Sequence, residues 1–275
     1  QAEDGIRDDL VTGVQTCALP IFSTLLVSET NHILSISLNR PEKKNAINAV
    51  MTNELLYLLD YAKQSSSIRV VELSACGDIF CAGGDLRSMS GESESNVPDM
   101  KGSLADIAIK LNELCKPVVT RIEGNVFAGA LLLVCNSTHA YALDSVSFCA
   151  PEIKRGIWPF MVMAGLFRVV SKRDGLDLIM RGEPIDAQQA ARIGLINAAL
   201  NSIALKETTS KVISDLAKLP PKTMTRGLQA FNQQENMSFS EAIKFLEKEI
   251  QYTLTSDEAK EGISAFLEKR DPNWD

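Results

Sequence analysis

Apolar residues change their spacing several times along the chain, and each change marks an element. Thr24 to Val27 and His32 to Leu38 alternate or run apolar around the polar pair Thr30-Asn31, which predicts a β-hairpin ending at the Asn39-Arg40-Pro41 turn. Asn48 then suits a helix cap, because Met51, Leu55, Leu58, Leu59 and Ala62 follow at helical spacing. Arg69 to Ser74 reads as a short strand, Ser103 to Cys115 as a helix stopped at Lys116-Pro117, and Val118 to Ile122 as a buried strand. Gly124 and Gly129 flank a turn before a buried helix over Ala130 to Val134, and strands are expected at Ala140 to Leu143 and Val146 to Phe148. From Phe160 onward the period is helical. Pro220-Pro221 separates two helices, and Ser238 with Glu241 and Thr255 with Glu258 have capping-box spacing. The pattern predicts a strand-rich α/β core over 22–200 and a helical C-terminal region over 201–275.

Composition narrows the function classes. The 275 residues carry 28 Lys and Arg against 35 Asp and Glu, a net charge of −7, with 45% hydrophobic residues. That length fits one large domain, or one core plus an appendage. No Lys/Arg stripe is present to replace the counterions of a nucleic acid, so a nucleic-acid partner is not expected. The longest apolar runs, such as Ala128 to Cys135, fall far short of the roughly 18 to 20 residues that span a bilayer. A membrane partner is not expected either.

The first Met is Met51, and Gln1 to Ile21 has neither helical nor strand periodicity. Back-translated, Gln1 to Asp8 reads codon for codon as CAAGCAGAAGACGGCATACGAGAT, the sequence of a widely used sequencing-library adapter. Val11 to Ile21 reads likewise as the companion primer, with Asp9-Leu10 in the slot of a six-nucleotide sample index. A secretory signal would need a basic start and an apolar stretch, and a transit peptide would lack acids, whereas this segment has four acids and one Arg. Residues 1–21 are therefore read as a non-native segment. The five remaining cysteines, Cys76, Cys81, Cys115, Cys135 and Cys149, are odd in number and mostly in apolar contexts, which suits reduced core thiols and a reducing compartment. Both candidates for that compartment, bacterial cytoplasm and organelle matrix, stay open.

Three local constellations carry candidate chemistry, and none contains His. His32 and His139 both fall inside predicted strands, and no His or Cys pair has metal-ligand spacing, so neither a His-based triad nor a metal site is expected. Phe80-Cys81-Ala82-Gly83-Gly84-Asp85 follows a strand and precedes a predicted helix, so the N–H groups around Gly84 could face an anion, although glycine turns are commonly only turns. Gly124 to Ala130 offers a second N–H near Gly129, and two such donors converging would make an oxyanion hole. Ala150-Pro151-Glu152 is the third, and alone it reads as an acid at a helix start favoured by the dipole.

Read together, NRPEKKNAIN (39–48), FCAGGDL (80–86), KPVVTRIEGNVFAGA (116–130), APEIKRGIWP (150–159), GEPIDAQQAARIGLI (182–196) and AFLEKRDPNW (265–274) resemble the crotonase family, also called the enoyl-CoA hydratase/isomerase superfamily. The resemblance spans residues 22–275 with the motifs in family order. It implies an α/β fold, a spiral of ββα repeats whose helical C-terminal region packs between subunits in a homotrimer or dimer of trimers. It implies that Gly84 and Gly129 N–H groups hold the thioester oxygen of an acyl-CoA, with coenzyme A entering as part of the substrate and no separate cofactor. Ala82 would present backbone to the adenine, and Lys43, Lys44 or Lys269 would meet the phosphates of CoA.

One departure bears on the reaction. Family hydratases resemble one another in carrying two glutamates. Glu152 matches the second, but Leu132 stands at the first, and Ala128 and Ala130 replace flanking glycines. A single carboxylate can take a proton from one carbon of an enoyl chain and return it two carbons away, which is isomerisation of 3-enoyl-CoA to 2-enoyl-CoA. The alternatives are a hydratase with a reduced catalytic set and a non-catalytic acyl-CoA-binding relative. Trp158 and Phe160 would either wall the acyl pocket or belong to the core. Acyl-chain length is tied to the 88–99 loop and stays open.

Overall fold

The computed structural model describes residues 19–85 and 97–274. The hairpin comes first: β1 (Leu25–Thr30) and β2 (Ile33–Leu38) pair antiparallel, from Leu25 opposite Leu38 to Thr30 opposite Ile33. Its two turn residues, Asn31 and His32, have φ 51° and 67°, the paired left-handed conformation that matches strand twist in a tight hairpin. His32 thus lies in the turn and not in a strand, with Nδ1 2.8 Å from the Ser67 carbonyl oxygen. Next, α1 (Ala49–Gln64) begins at the expected cap, where the Asn48 side chain accepts the Met51 N–H at 2.9 Å. Leu19, within the segment read as non-native, packs with Phe22 against the core, so ordered packing begins before residue 22. Residues 1–18 lie outside the described residues.

A strand-strand-helix unit then recurs. Strands β3 (Val70–Ala75) and β4 (Ile79–Cys81) precede α2 (Leu104–Glu113). Strands β5 (Val118–Ile122) and β6 (Asn125–Phe127) precede α3 (Leu131–Cys135), and β7 (His139–Leu143) and β8 (Ser147–Cys149) precede α4 (Phe160–Val169). Two short strands follow, β9 (Ile185–Asp186) and β10 (Ala198–Leu200), each beside a helix: α5 (Lys172–Arg181) and α6 (Ala187–Arg192). The first strand of each unit enters a six-stranded sheet ordered β1-β2-β3-β5-β7-β10, and the second enters a four-stranded sheet ordered β4-β6-β8-β9. Among the described residues, only β1 with β2 and β8 with β9 are antiparallel. This is the expected ββα spiral, in which parallel strands covered on both faces read as unbroken apolar runs such as Val70-Val71 and Val118-Val119, all four buried.

The C-terminal region is helical as expected: α7 (Ser202–Ala217), α8 (Pro221–Gln234), α9 (Phe239–Leu254) and α10 (Asp257–Glu268). Pro220-Pro221 does divide α7 from α8, and Ser238 with Glu241 forms a complete capping box. The second expected box does not form. Ser256, not Thr255, caps α10, and Glu258 instead accepts the Lys222 and Thr223 N–H groups at 2.9 and 2.7 Å. Those two donors are orphans of the first turn of α8, whose own cap position, Pro220, has no side-chain acceptor to offer. Strands β4, β6, β9 and β10 were not expected from sequence, because two or three residues are too few for a period to be read.

Candidate active site

Parallel pairing brings the three constellations to one edge. Ile79 and Cys81 of β4 pair with Asn125 and Val126 of β6, and Val126 and Phe127 pair with Phe148 and Cys149 of β8. Neighbouring parallel strands about 4.8 Å apart end together, so Gly83-Gly84, Ala128-Gly129 and Pro151-Glu152 leave the small sheet side by side. Gly124 permits the close approach at the entry to these strands: a side chain there would stand 2.6 Å from the Asp78 oxygen and the Phe80 nitrogen.

Ile47 orients the first donor. Its N–H donates to the Gly83 oxygen at 2.8 Å, and its oxygen accepts the Asp85 N–H at 2.9 Å. A trans peptide points its carbonyl and N–H in opposite directions, so with the Gly83 carbonyl turned to Ile47 the Gly84 N–H faces away from it. Gly129 lies in a 3₁₀ turn, Ala128–Ala130, whose leading N–H groups have no partner within the turn. A Cβ on Gly129 would stand 3.6 Å from Gly84 N, and one on Gly83, at φ +91°, would stand 3.0 Å from Gly129 N. The two donors therefore share one small space that side chains at these glycines would fill. Cys81 is buried at the end of β4 and accepts the Gly83 N–H on Sγ at 3.4 Å. Burial pushes its thiol up to about 12, with the Gly83 hydrogen bond opposing, so it stays a neutral thiol.

Glu152 opens the 3₁₀ segment Pro151–Arg155 at the end of β8. Its Oε2 is buried and has no hydrogen-bond partner among the described residues. Loss of solvent holds the carboxyl above the usual carboxylate range, with its own backbone N–H and then Arg155 pulling the other way. A desolvated, unpaired carboxylate oxygen is costly unless it has work to do. Leu132 is 2% exposed on α3, three residues after Gly129, and lines a cavity of about 370 Å³ with Ala105, Ala108, Met161 and Gly165. A second cavity of about 190 Å³ reaches Gly84 from the start of α1 and from Gly102 to Leu104.

The remaining expected residues divide. Ala82 donates its N–H to the Lys44 oxygen at 3.0 Å, which ties the Lys43-Lys44 turn to the glycine turn. Buried Asn45 holds the same turn, donating to the Cys76 and Ile79 oxygens at 2.8 Å each. Lys269 stands at the exposed end of α10, and no described hydrogen bond or ion pair joins it to that turn. Trp158 is half-buried against the core and donates Nε1 to Met163 Sδ at 3.1 Å. Phe160 is neither core nor wall of a described cavity: it is 70% exposed at the start of α4, because position one of that helix faces away from the spiral. Most of the 88–99 loop, and any helix directly after Asp85, lie outside the described residues. Leu104 carried no sequence signal and Ile47 none beyond its place in the 39–48 motif, since each acts across the fold.

Residues 28–275 match the family model described as enoyl-CoA hydratase/isomerase. The chain is 27% identical over 243 residues to the rat mitochondrial enoyl-CoA hydratase domain-containing protein 3, covering 88% of this chain and 81% of that protein. It is also 27% identical over 268 residues to mevalonyl-coenzyme A hydratase of Aspergillus fumigatus, covering 95% and 98%. Among solved structures, an enoyl-CoA hydratase of Mycobacterium smegmatis superposes with a TM-score of 0.84 at 26% identity, covering 92% of this chain and 99% of the other. The human enoyl coenzyme A hydratase domain-containing protein 3 gives 0.84 at 25% identity, covering 92% and 100%.

Proposed function

The chain belongs to the enoyl-CoA hydratase/isomerase family, and from that premise we propose that it shifts the double bond of 3-enoyl-CoA to 2-enoyl-CoA with Glu152 as its single acid/base. The observation that carries this reading is the unpartnered, desolvated Glu152 oxygen on a turn that leaves the sheet beside the Gly84 and Gly129 turns, with Leu132 where a second carboxylate would be needed for hydration. In the reaction, the thioester oxygen accepts hydrogen bonds from Gly84 and Gly129 N–H. Glu152 removes a proton from C2, and the C2–H electron pair passes into the carbonyl, giving an enolate whose charge rests between the two donors. The enolate then collapses to a C2–C3 double bond, while the former C3–C4 pair takes the proton from Glu152 at C4. Donors fixed before the charge develops need no reorganisation, which is why backbone N–H groups suit the task.

On this reading Ala82, Lys43 and Lys44 face the nucleotide of CoA, Trp158 supports the acyl side, and Leu132 keeps a nucleophilic water from being held over C3. Phe160 and Lys269 are assigned to contacts that form only between subunits. The test is turnover of 3-enoyl-CoA and of 2-enoyl-CoA by purified protein, beside calorimetric binding of a saturated acyl-CoA. Isomerisation faster than hydration is expected. Hydration alone would make the protein a hydratase with one glutamate, as the names of its relatives suggest, and binding without turnover of either ester would make it a non-catalytic acyl-CoA-binding relative.

A further inference from the structure

Leu104 stands over the paired donors and is absent from every motif considered above. The point where a Cβ on Gly129 would lie is 2.9 Å from Leu104 Cδ2 and 3.6 Å from Gly84 N. A methyl group therefore borders the small space in which a carbonyl oxygen would accept from both donors. The side chain is fixed there from several directions. Ser103 caps α2 in a complete capping box with Asp106, and Asn53 accepts the Met100 N–H at 2.6 Å. Gly102 lies so close to α1 that a side chain on it would come within 2.5 Å of Leu56 Cδ1. Leu104 itself is partly buried against the core.

Its position also gives its direction relative to the substrate. A thioester carbonyl carbon bears three substituents: the oxygen, the sulfur leading to CoA, and the acyl α-carbon. On the acyl-CoA reading the sulfur side runs toward Ala82, whose N–H is hydrogen-bonded to the Lys44 oxygen. Leu104 lies on the other side, because the next residues of its helix, Ala105 and Ala108, line the cavity that Leu132 borders. We infer that Leu104 is a specificity-determining residue that closes the space beside the α-carbon, so that the protein selects acyl-CoA thioesters unbranched at C2 over their 2-methyl counterparts. This rests on the acyl-CoA reading above, and not on the isomerase step.

The two are separated by measuring binding without turnover. Saturated octanoyl-CoA and 2-methyloctanoyl-CoA are titrated calorimetrically into the wild-type protein, L104A and L104V, with each variant checked for native melting first. One methyl group in a closed pocket is worth roughly tenfold or more, so the wild type should bind the linear ester at least about tenfold more tightly. L104A should bring the two within about threefold, with L104V between. Equal affinities in the wild type, or a preference unchanged in both variants, would overturn the inference while leaving the acyl-CoA reading intact. Failure of either ester to bind the folded protein would overturn both. If L104A melts early, the smaller L104V change still decides, since a wall at the α-carbon predicts a graded loss of preference.

Discussion

Glu152 is where local physics and proposed chemistry meet most closely. Its folded pKa is raised by desolvation, so folding favours the protonated form. The stability this contributes is present below the ordinary carboxylate range and is lost as pH rises through the raised folded value. At neutral pH the ionised side chain is therefore a cost to the fold, and Glu152→Gln removes it. That variant should melt no lower than the wild type while losing about 10²- to 10⁴-fold in isomerase turnover, with acyl-CoA affinity nearly unchanged. Undiminished turnover in the folded variant would remove the assignment. In the wild type, turnover should rise with pH through a limb lying above the ordinary carboxylate range, because the base must be ionised. Arg155→Ala, by removing a cation that favours the ionised form, should move that limb to higher pH. Ala128 presents a separate strain. Its φ of 53° places a non-glycine residue in the left-handed region, at a cost of roughly 1–2 kcal/mol. Glycine avoids this but loses about 0.5–1 kcal/mol in chain entropy. Ala128→Gly should then stabilise the protein by roughly 0.5–1 kcal/mol, read as a higher urea midpoint with unchanged slope.

At the scale of elements, helix caps test how far local spacing can be trusted. Thr255 and Glu258 have the spacing of a capping box, yet the Ser256 side chain accepts the Ala259 N–H at 3.1 Å and Glu258 turns to α8. Ser256→Ala should cost about 1 kcal/mol and Thr255→Ala much less, whereas Glu258→Ala should cost about 1–2 kcal/mol by uncapping a different helix. Thermal melting of the three variants checks the order, and a Thr255→Ala loss as large as that of Ser256→Ala would reverse it. The same distinction governs what could be read beforehand. Asn48, Ser103 and Ser238 were legible as helix starts because a cap and its first turn are neighbours in sequence. Strand β6 was hidden, being three residues between two glycines, and it is one of the two inner strands of the small sheet. The glycine turns and Pro151-Glu152 were visible as separate constellations, while their meeting depends on pairing between separate strands, Ile79 with Asn125 and Val126 with Phe148. No local pattern encodes Ile47 bracketing Gly84 or Leu104 bordering Gly129.

For the molecule as a whole, the informative surface is the one the C-terminal helices leave uncovered. Both α9 and α10 bury a single residue each, Ala242 and Ala265, although each carries a regular apolar stripe. Phe239 is 83% exposed and Phe266 82%, and Ile243, Ile250, Leu254, Ile263 and Leu267 are exposed with them. Burying one such side chain is worth about 1.5–3 kcal/mol, so a set this large is a substantial driving force, and apolar patches of this extent mark contact sites. The spiral needs no help from these helices to form its core, since the two sheets and α1 to α6 already enclose it. A homotrimer, or a pair of trimers, would cover such stripes with identical faces by symmetry. Sedimentation at micromolar concentration should therefore give a trimer or hexamer. Phe239→Glu with Phe266→Glu should shift it toward monomer while leaving the far-UV circular dichroism of the spiral in place, because neither side chain contributes to the core. A wild-type protein that sediments as a single monomeric species would mean that these faces stay in water, and the assembly would have to be given up.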